Sequence, residues 1–329
     1  MKPFDYQRAT TVPDAISRAR ETGAKFFAGG TNLLDLMKSG VEQPQVLVDV
    51  GGLGIDTITE TRDGGIRLGS GATNSAVANH RLVRTRYPLL SQAILSGATT
   101  QIRNMATAGG NLMQRTRCPY FMNPGFAQCN KRIPGSGCGA RDGFNREHAV
   151  FGTSSPCVAV HPSDMAVALA ALDAVIHVCG PEGERAIAIG DFYVPPGAHP
   201  DRDTSVSPDE LIVAVELPPS PFGPNSWYLK VRDRHSYAFA LVSVAAAVHV
   251  EDGVIRSAAI ALGGVASTPW RVPAAEAALI GRAPERQTFL AAAEAALAGA
   301  SPLQHNGFKV PLAKNSVVRA LSEAAARMS

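Results

Sequence analysis

The first 55 residues combine short apolar runs with one amphipathic stretch. In VPDAISRARETG the apolar positions recur at helical spacing, with Pro13 near the start and Gly23 at the end. AKFFA and QVLVDV are short apolar runs typical of strands, and GGTNLLDLMKSG between them predicts a helix that ends at Gly40. Residues 1–55 are therefore predicted to form a small α/β unit in which a strand turns into a helix at a glycine pair.

From residue 56 onwards the pattern predicts a larger mixed unit and then a change of character. GIRLGSGAT predicts a strand and a turn. A helix-rich stretch is predicted at about 75–104, and SDMAVALAALDA predicts a further helix. A segment rich in Pro and Ser at 218–226 indicates a domain boundary. After it, ALVSVAAAVHV and VIRSAAIALGGV flank EDG and predict an antiparallel hairpin. Alanine-rich helices are predicted at about 272–281, 285–300 and 309–327.

The composition argues against two classes of partner. Lys and Arg number 31 against 28 Asp and Glu, a net charge of +3, and 6% of the residues are aromatic. A chain so close to neutral lacks the basic surface that nucleic acid or an anionic membrane attracts, and base-stacking platforms need more aromatic side chains. The first residues contain no apolar stretch typical of a secretion signal, and the apolar run at 238–250 is too short to cross a bilayer. We expect no nucleic-acid partner, no membrane insertion and no export signal of the chain's own.

Two glycine turns are the first candidates for chemistry. AGGTN (28–32) and TAGGN (107–111) each combine two glycines with Thr and Asn. Glycine lets the backbone approach a ligand closely, and successive backbone N–H groups at such turns can bind an anion. Convergence of both turns on one diphosphate is one interpretation, and ordinary tight turns or helix caps are the other. LGSGATNS lacks the third glycine of a dinucleotide fingerprint, and GxxxxGK[ST] is absent.

Four of the five cysteines lie in one segment, residues 113–157, which is rich in glycine and proline and has no sustained apolar period. Their spacing is C-x10-C-x8-C-x18-C, which lacks the close pairs of zinc sites and the C-x-x-C of redox dithiols. The odd total weakens a disulfide framework. The spacing leaves two interpretations open: a [4Fe–4S] cluster held by four thiolates, or unpaired loop cysteines.

Four stretches carry a family resemblance, in order along the whole chain: KFFAGGTNLLDLMKSG, QIRNMATAGGNL, HPSDMAVALAALDA and YLKVRDRHSYAFALVSVAAAV. They resemble the FAD-binding subunit of the xanthine dehydrogenase / CO dehydrogenase family, and within it the flavin subunit of the periplasmic aldehyde oxidoreductase type of heterotrimer. The resemblance implies an α+β fold: a vanillyl-alcohol-oxidase/PCMH-type FAD-binding domain at 1–222, with subdomains 1–55 and 56–222, followed by a CO dehydrogenase flavoprotein C-terminal domain at 223–329.

The resemblance also implies which residues bind the flavin. The glycine turns would hold the FAD diphosphate, Ser163 and Asp164 would lie near the cofactor, and Lys230 would stabilise the anionic reduced flavin. Without the family, Lys230 would be an ordinary surface residue and Asp164 a helix-start acid. The turn residues implied are Phe27, Ala28, Gly29, Gly30, Thr31, Asn32 and Leu33, with Thr107, Ala108, Gly109, Gly110 and Asn111.

The cysteine segment is an insertion by comparison with most members of that family, in which the Ser-Asp segment follows the GGN turn closely. Similar loops that hold a [4Fe–4S] cluster occur in the aldehyde oxidoreductase and in 4-hydroxybenzoyl-CoA reductase. The resemblance therefore implies cluster ligation by Cys118, Cys129, Cys138 and Cys157. Cys179, in a strand-like alternation, is interpreted as a buried small hydrophobic residue.

The function implied is electron transfer without a catalytic acid or base in this chain. Electrons would arrive from a molybdenum cofactor on a large partner subunit through [2Fe–2S] clusters on a small one, and would leave from FAD to an external acceptor. Alternatives are a 4-hydroxybenzoyl-CoA reductase-type or xanthine dehydrogenase-type flavin subunit, a stand-alone FAD oxidoreductase, and a non-catalytic metal-binding scaffold. The compartment would be cytoplasmic, or periplasmic by co-export with a signal-bearing partner.

Overall fold

The computed structural model describes residues 1–21 and 23–327. Thr22, inside the first predicted helix, and positions 328–329, inside the predicted C-terminal domain, lie outside the described residues. Three sheets organise the chain, and each has its own cluster of buried apolar side chains. The mixture of helices and antiparallel sheet confirms the predicted α+β class.

The N-terminal lobe is a three-stranded parallel sheet with two helices. Its elements are β1 (Asp5–Arg8), α1 (Val12–Ala19), β2 (Ala24–Phe27), α2 (Leu33–Lys38) and β3 (Val46–Asp49). The strand order is β1–β3–β2. Thr11 caps α1 by accepting the N–H of Asp14, and Pro13 occupies the first turn, where its missing N–H costs nothing. The sequence pattern predicted β2, α2 and β3 but not β1, which is largely exposed and has no apolar run.

The central lobe is a five-stranded antiparallel sheet covered by helices, with strand order β4–β5–β8–β6–β7. The helix-rich stretch predicted at 75–104 consists of short helices, α3 to α6, separated by Pro88 and two extended linkers. Cys179 lies in β6, where it is half-buried against the core of the N-terminal lobe rather than fully buried. The elements are β4 (Ile58–Glu60), β5 (Ile66–Gly69), α3 (Asn74–Asn79), α4 (Arg81–Arg86), α5 (Pro88–Ser96), α6 (Thr100–Met105), α7 (Ala108–Leu112), α8 (Pro119–Met122), α9 (Gly139–Asp142), α10 (Asp164–Ala171), β6 (Val175–Gly180), β7 (Gly183–Ala188), α11 (Ile189–Phe192) and β8 (Leu211–Leu217).

The C-terminal part is a four-stranded antiparallel sheet, ordered β12–β11–β10–β9, with three helices. Its elements are β9 (Ser226–Val231), β10 (Val242–Glu251), β11 (Val254–Gly263), β12 (Trp270–Arg271), α12 (Pro273–Ala277), α13 (Arg286–Leu297) and α14 (Lys309–Ala326). The predicted hairpin is confirmed by the β10–β11 pairing. The predicted boundary near 218–226 falls in the connection between β8 and β9. Among the helices in the described part of the chain, none combines the length and the apolar character that a membrane span requires.

Strand β10 packs against one layer on each side, because its side chains alternate between the two faces of the sheet. Ala245 and Ala247 face the core of the central lobe, whereas Val244 and Ala246 face the C-terminal helices. Alanine on the first face lets α10 approach the sheet closely, and Met165 to Ala171 of that helix are all buried. The C-terminal sheet therefore forms a wall that both cores share.

A buried lysine begins the last helix, α14. Lys309 is fully buried, and its Nζ donates to the carbonyl oxygens of Glu147, His148 and Gly264 at 2.9, 3.0 and 2.7 Å. Burial lowers the pKa of Lys309 to about 7. These bonds tie the start of α14 both to the cysteine segment and to the end of β11.

We expect Lys309→Met to lower the free energy of unfolding by about 1–3 kcal/mol, because three buried carbonyls would lose their donor while the apolar stem is kept. Lys314→Met, on the same helix, is the control. Lys314 is partly exposed and pairs only with Glu294, so its loss should change the free energy by about 0.5 kcal/mol or less. Urea unfolding of the purified full chain measures both, and equal midpoints for the two variants would contradict the expectation.

Candidate functional site

A cavity of about 310 Å³ lies where the central lobe, the cysteine segment and the C-terminal sheet meet. The start of α10, the first cysteine and the loop between β9 and β10 all contribute to its wall. Neither glycine turn lines it. The lining residues are 116–119, 147–148, 160–164, 233–234, 237–241 and 263–264, together with Val167 and Ser243.

Ser163 and Asp164 begin helix α10 and line this cavity. Ser163 Oγ accepts the N–H of Ala166 at 3.0 Å and so caps the helix that the sequence predicted here. The same hydroxyl donates to Asn111 Oδ1 at 2.6 Å. This bond connects the second glycine turn to the cavity wall, although the turn and Ser163 are far apart in the sequence.

Asp164 is the centre of a buried polar cluster. Lys230 Nζ lies 2.7 Å from one carboxylate oxygen, and the Tyr228 hydroxyl donates to the other at 2.7 Å. The side chains of Lys230 and Asp164 are only 4% and 10% exposed. Burial, and then the charge of Asp164, raise the pKa of Tyr228 well above its usual value, so its phenol stays a donor. Lys230 does not line the cavity and reaches it only through Asp164.

The two glycine turns lie near each other in the structure, while their convergence on one diphosphate stays a prediction. Gly29 packs against the peptide that precedes Thr107: a Cβ built on Gly29 would lie 1.8 Å from the carbonyl oxygen of Met105. Gly30 adopts a φ of +69°, which favours glycine, and a Cβ there would lie 2.6 Å from the ring of Phe27. Close backbone approach, rather than ligand contact alone, is therefore a structural reason for this glycine pair.

The turns differ in the backbone donors that they offer. Thr107 caps the short helix α7, and the N–H groups of Ala108, Gly109, Gly110 and Asn111 all have acceptors nearby, namely Ala72 O, Ser70 O, Thr107 Oγ1 and Thr107 O. In the first turn, by contrast, the N–H groups of residues 29–32 have no acceptor in the part of the chain that the structure describes. The first turn thus offers free N–H donors for an anion, and the second supports it.

Asn32 adds a further donor to the first turn. Its Oδ1 accepts the backbone N–H of Arg115 at 3.1 Å, while its Nδ2 is buried and has no partner among the described residues. A buried amide without an acceptor is costly, which indicates that a bound group or water accepts from it. Phe27 ends β2, Ala28 and Thr31 lie in the turn, and Leu33 begins α2.

The four cysteines of the 113–157 segment lie in one region of the structure, although they are widely spaced in the sequence. Cys129 and Cys138 pair as an isolated antiparallel bridge. The thiol of Cys118 feels the charges of Cys129 and Cys157, and that of Cys157 feels those of Cys138 and Cys129. All five cysteines of the chain are free, so no disulfide explains the grouping.

Their surroundings suit sulfur that binds a metal centre. Burial raises the pKa of Cys118 to about 12 and also raises that of Cys157, so neither would ionise without a nearby positive centre. Backbone N–H groups of Phe121 and Tyr120 lie within hydrogen-bonding range of the Cys118 sulfur, and that of Ala159 within range of the Cys157 sulfur. Such N–H donors are what a cluster's thiolate ligands use.

The grouping does not suit a single metal ion. In residues 1–21 and 23–327, no three or more Cys, His, Asp or Glu side chains come close enough to share one ion. A [4Fe–4S] cluster has a different requirement, because each thiolate binds its own iron and the four sulfurs remain apart. The described residues therefore contain no site for a single zinc ion.

Two residues of the site, His148 and Tyr228, were not predicted from the sequence. His148 is buried, and its Nε2 lies 3.1 Å from Cys118 Sγ. Burial, together with the charge of Lys309, lowers the pKa of His148 to about 4. No motif marks this histidine. Tyr228 could have been found, because it is two residues before Lys230 on a strand and so shares its face.

We expect Gly29→Ala to destabilise the chain by about 3 kcal/mol or more, since the new methyl group and the Met105 carbonyl cannot occupy the same space. Gly52→Ala is the matched control, because a Cβ on Gly52 would meet no atom within 4 Å. Thermal unfolding of the full chain would show the difference. A Gly29→Ala protein as stable as Gly52→Ala would disprove the close approach.

A second prediction concerns the buried pair. We expect Lys230→Met to cost about 3–5 kcal/mol, because it leaves the Asp164 carboxylate buried without its partner. In the double variant with Asp164→Asn no charge is left unpaired, and Tyr228 still finds an acceptor, so most of that loss should be recovered. The cycle is measured by chemical unfolding of the wild type, both single variants and the double variant. Additive losses would contradict the pairing.

Two protein-family models together match almost the whole chain. Residues 2–220 match the family described as the FAD binding domain in molybdopterin dehydrogenase, and residues 227–324 match the CO dehydrogenase flavoprotein C-terminal domain. The chain is 52% identical over 329 residues to the aldehyde oxidoreductase FAD-binding subunit PaoB of Escherichia coli K12, with 99% of this chain and 100% of the relative covered.

More distant relatives agree. The carbon monoxide dehydrogenase medium chain of Afipia carboxidovorans is 27% identical over 283 residues, covering 85% of this chain and 81% of the relative. A solved structure, the reconstituted CO dehydrogenase from Oligotropha carboxidovorans, superposes with a TM-score of 0.77 at 25% identity, covering 99% of both chains. The chain therefore belongs to the FAD-binding subunits of the molybdenum hydroxylases, the oxidoreductases that include aldehyde oxidoreductase, CO dehydrogenase and xanthine dehydrogenase.

Proposed function

We propose that this chain is the flavin subunit of a heterotrimeric aldehyde oxidoreductase and carries a [4Fe–4S] cluster besides FAD. Electrons would come from a molybdenum cofactor on a large partner subunit and [2Fe–2S] clusters on a small one, and would pass through FAD to an external acceptor. The 52% identity to an aldehyde oxidoreductase subunit supports the substrate class. The complex would work in the cytoplasm, or in the periplasm after co-export with a signal-bearing partner.

One observation carries the cluster assignment. Cys118, Cys129, Cys138 and Cys157 come from a segment whose regular structure is two short helices, yet they lie in one region of the structure. Cys129 and Cys157 are buried, and all four thiols are free. Buried thiols that converge with backbone N–H donors need a reason other than packing. Cys118 also lines the cavity, so the proposed cluster would lie beside it.

FAD, when bound, supplies the redox chemistry. The free N–H groups of residues 29–32 and the Nδ2 of Asn32 would hold the diphosphate, and the turn at 107–111 would keep that loop in place. The cavity beyond Ser163 would take the isoalloxazine ring. It lies between the domains that we place at 1–222 and 223–329.

Lys230 would act on the flavin through Asp164. The carboxylate of Asp164 faces the cavity, and alone it would oppose negative charge on a reduced ring. Because Lys230 Nζ lies 2.7 Å from that carboxylate, the pair is neutral as a whole. The lysine would thus remove an unfavourable charge from the cavity wall, and in this way would stabilise the anionic reduced flavin.

The assignment of the ligands is tested by single substitutions. Cys118→Ser, Cys129→Ser, Cys138→Ser and Cys157→Ser should each lose most of about four iron atoms per chain, because a [4Fe–4S] cluster needs four thiolates. Cys179→Ser, half-buried in β6, should keep its iron and is the matched control. Iron assays, FAD assays and EPR are made on anaerobically purified complex with its neighbouring subunits.

The iron and FAD contents distinguish the cluster, flavin and scaffold hypotheses. FAD without iron in the wild type would contradict the cluster and leave the flavin assignment standing. Neither cofactor in the wild type would favour the non-catalytic scaffold. Iron that survives every one of the four substitutions would show that the ligands lie elsewhere.

A further inference from the structure

We propose that His148 donates a hydrogen bond from Nε2 to Cys118 Sγ and thereby raises the reduction potential of the cluster that Cys118 ligates. This inference rests on the cluster proposed above. It gives His148 the role of a positioning and tuning residue, because its ring contacts a ligand sulfur and not the iron.

The contact has the geometry of a hydrogen bond. Nε2 and Sγ are 3.1 Å apart, and His148 is 3% exposed, so its ring is largely shielded from water. A thiolate can only accept a hydrogen bond, which selects the tautomer with its hydrogen on Nε2. In that tautomer Nδ1 is an acceptor, and it has no partner among the described residues.

Hydrogen bonds to the backbone of His148 hold its imidazole in place. The N–H of His148 donates to Asn145 O at 3.1 Å, and its carbonyl oxygen accepts from Asn306 Nδ2 at 3.1 Å and from Lys309 Nζ at 3.0 Å. Asn306 and Lys309 are themselves fully buried. Two buried side chains of the C-terminal domain therefore fix the residue that contacts Cys118.

The position of this contact connects the two proposed cofactors. Of the four cysteines, Cys118 is the one that lines the 310 Å³ cavity in the described chain, and His148 lines it too. The Cys118–His148 contact is thus the part of the sulfur site nearest to the space assigned to the flavin ring. Any change in the sulfur's electronic environment there acts on the edge of the cluster that faces the flavin.

The direction of the effect follows from charge. Reduction adds one negative charge to a cluster, and a hydrogen bond to a ligand sulfur stabilises that added charge. With its one ring hydrogen on Nε2 the imidazole is neutral, so its contribution is dipolar rather than ionic. A buried dipole of this kind favours the reduced state without adding a permanent charge to the cavity wall.

The first experiment is an EPR-monitored redox titration of the holoenzyme. Compared with the wild type, His148→Leu should shift the midpoint potential of the [4Fe–4S] centre downwards by about 59 mV, a tenfold change in the equilibrium constant for one electron. His148→Gln, which keeps an N–H donor, should shift it less. His177→Gln, on β6 and away from the four cysteines of the 113–157 segment, should not shift it.

A second experiment does not depend on the stability of a variant. Wild-type holoenzyme labelled with 15N-histidine should show a weak nitrogen coupling in the pulsed EPR spectrum of the reduced cluster, and His148→Gln should lose or weaken it. Iron present with neither the coupling nor the potential shift would overturn the role of His148. A wild-type enzyme without iron would instead overturn the cluster assignment, so the two failures are distinguishable.

Discussion

The carboxylate of Asp203 fixes the first half of the cysteine segment. Lys131 is buried and donates to Asp203 and to the carbonyl oxygen of Pro200, while Arg115 pairs with Asp203 at 2.8 Å and with Glu42 at 2.6 Å. Burial alone would raise the pKa of Asp203, but the charges of Lys131 and Arg115 outweigh it and lower the pKa. Because the signs alternate, two cations can leave water without an unpaired charge.

This ion network explains how a segment with little apolar core keeps one shape. Arg115 and Lys131 lie on either side of Cys118 and Cys129, so anchoring them to the N-terminal lobe and to the 200–203 loop positions the sulfurs between. The charge of Lys131 also lowers the pKa of Cys157 against the larger effect of burial, which links the network to the sulfur site. The second half of the segment is held by other contacts: Asn145 Oδ1 accepts the N–H of His305, and Arg146 pairs with Asp233 at 2.8 Å.

Local structure was predictable wherever it depends on neighbours in the chain. The Ser163 cap, the β10–β11 hairpin and the strand-to-helix glycine turn follow from residue type and period alone. Contacts between residues far apart in the sequence were not predictable. Lys131 and Asp203, for example, are separated by most of the central lobe, and no motif connects them. The same holds for His148 and Cys118, which meet only when the segment is anchored at both ends. The different donor capacities of the two glycine turns depend on Ser70 and Ala72, which no turn motif contains.

The contacts that hold the cysteine segment also determine how the two domains affect the candidate site. The ring of His148 touches Cys118, which belongs to the half held by the central lobe, whereas its carbonyl is held by Lys309 and Asn306 of the C-terminal domain. A displacement of one domain against the other would therefore change the distance from Nε2 to Sγ, and it would also strain the buried Asp164–Lys230 pair, which joins the two domains at 2.7 Å. The cavity, whose wall contains both residues, would change shape in the same movement. Buried, multiply bonded anchors on each side of the cavity are the means by which this fold resists that movement.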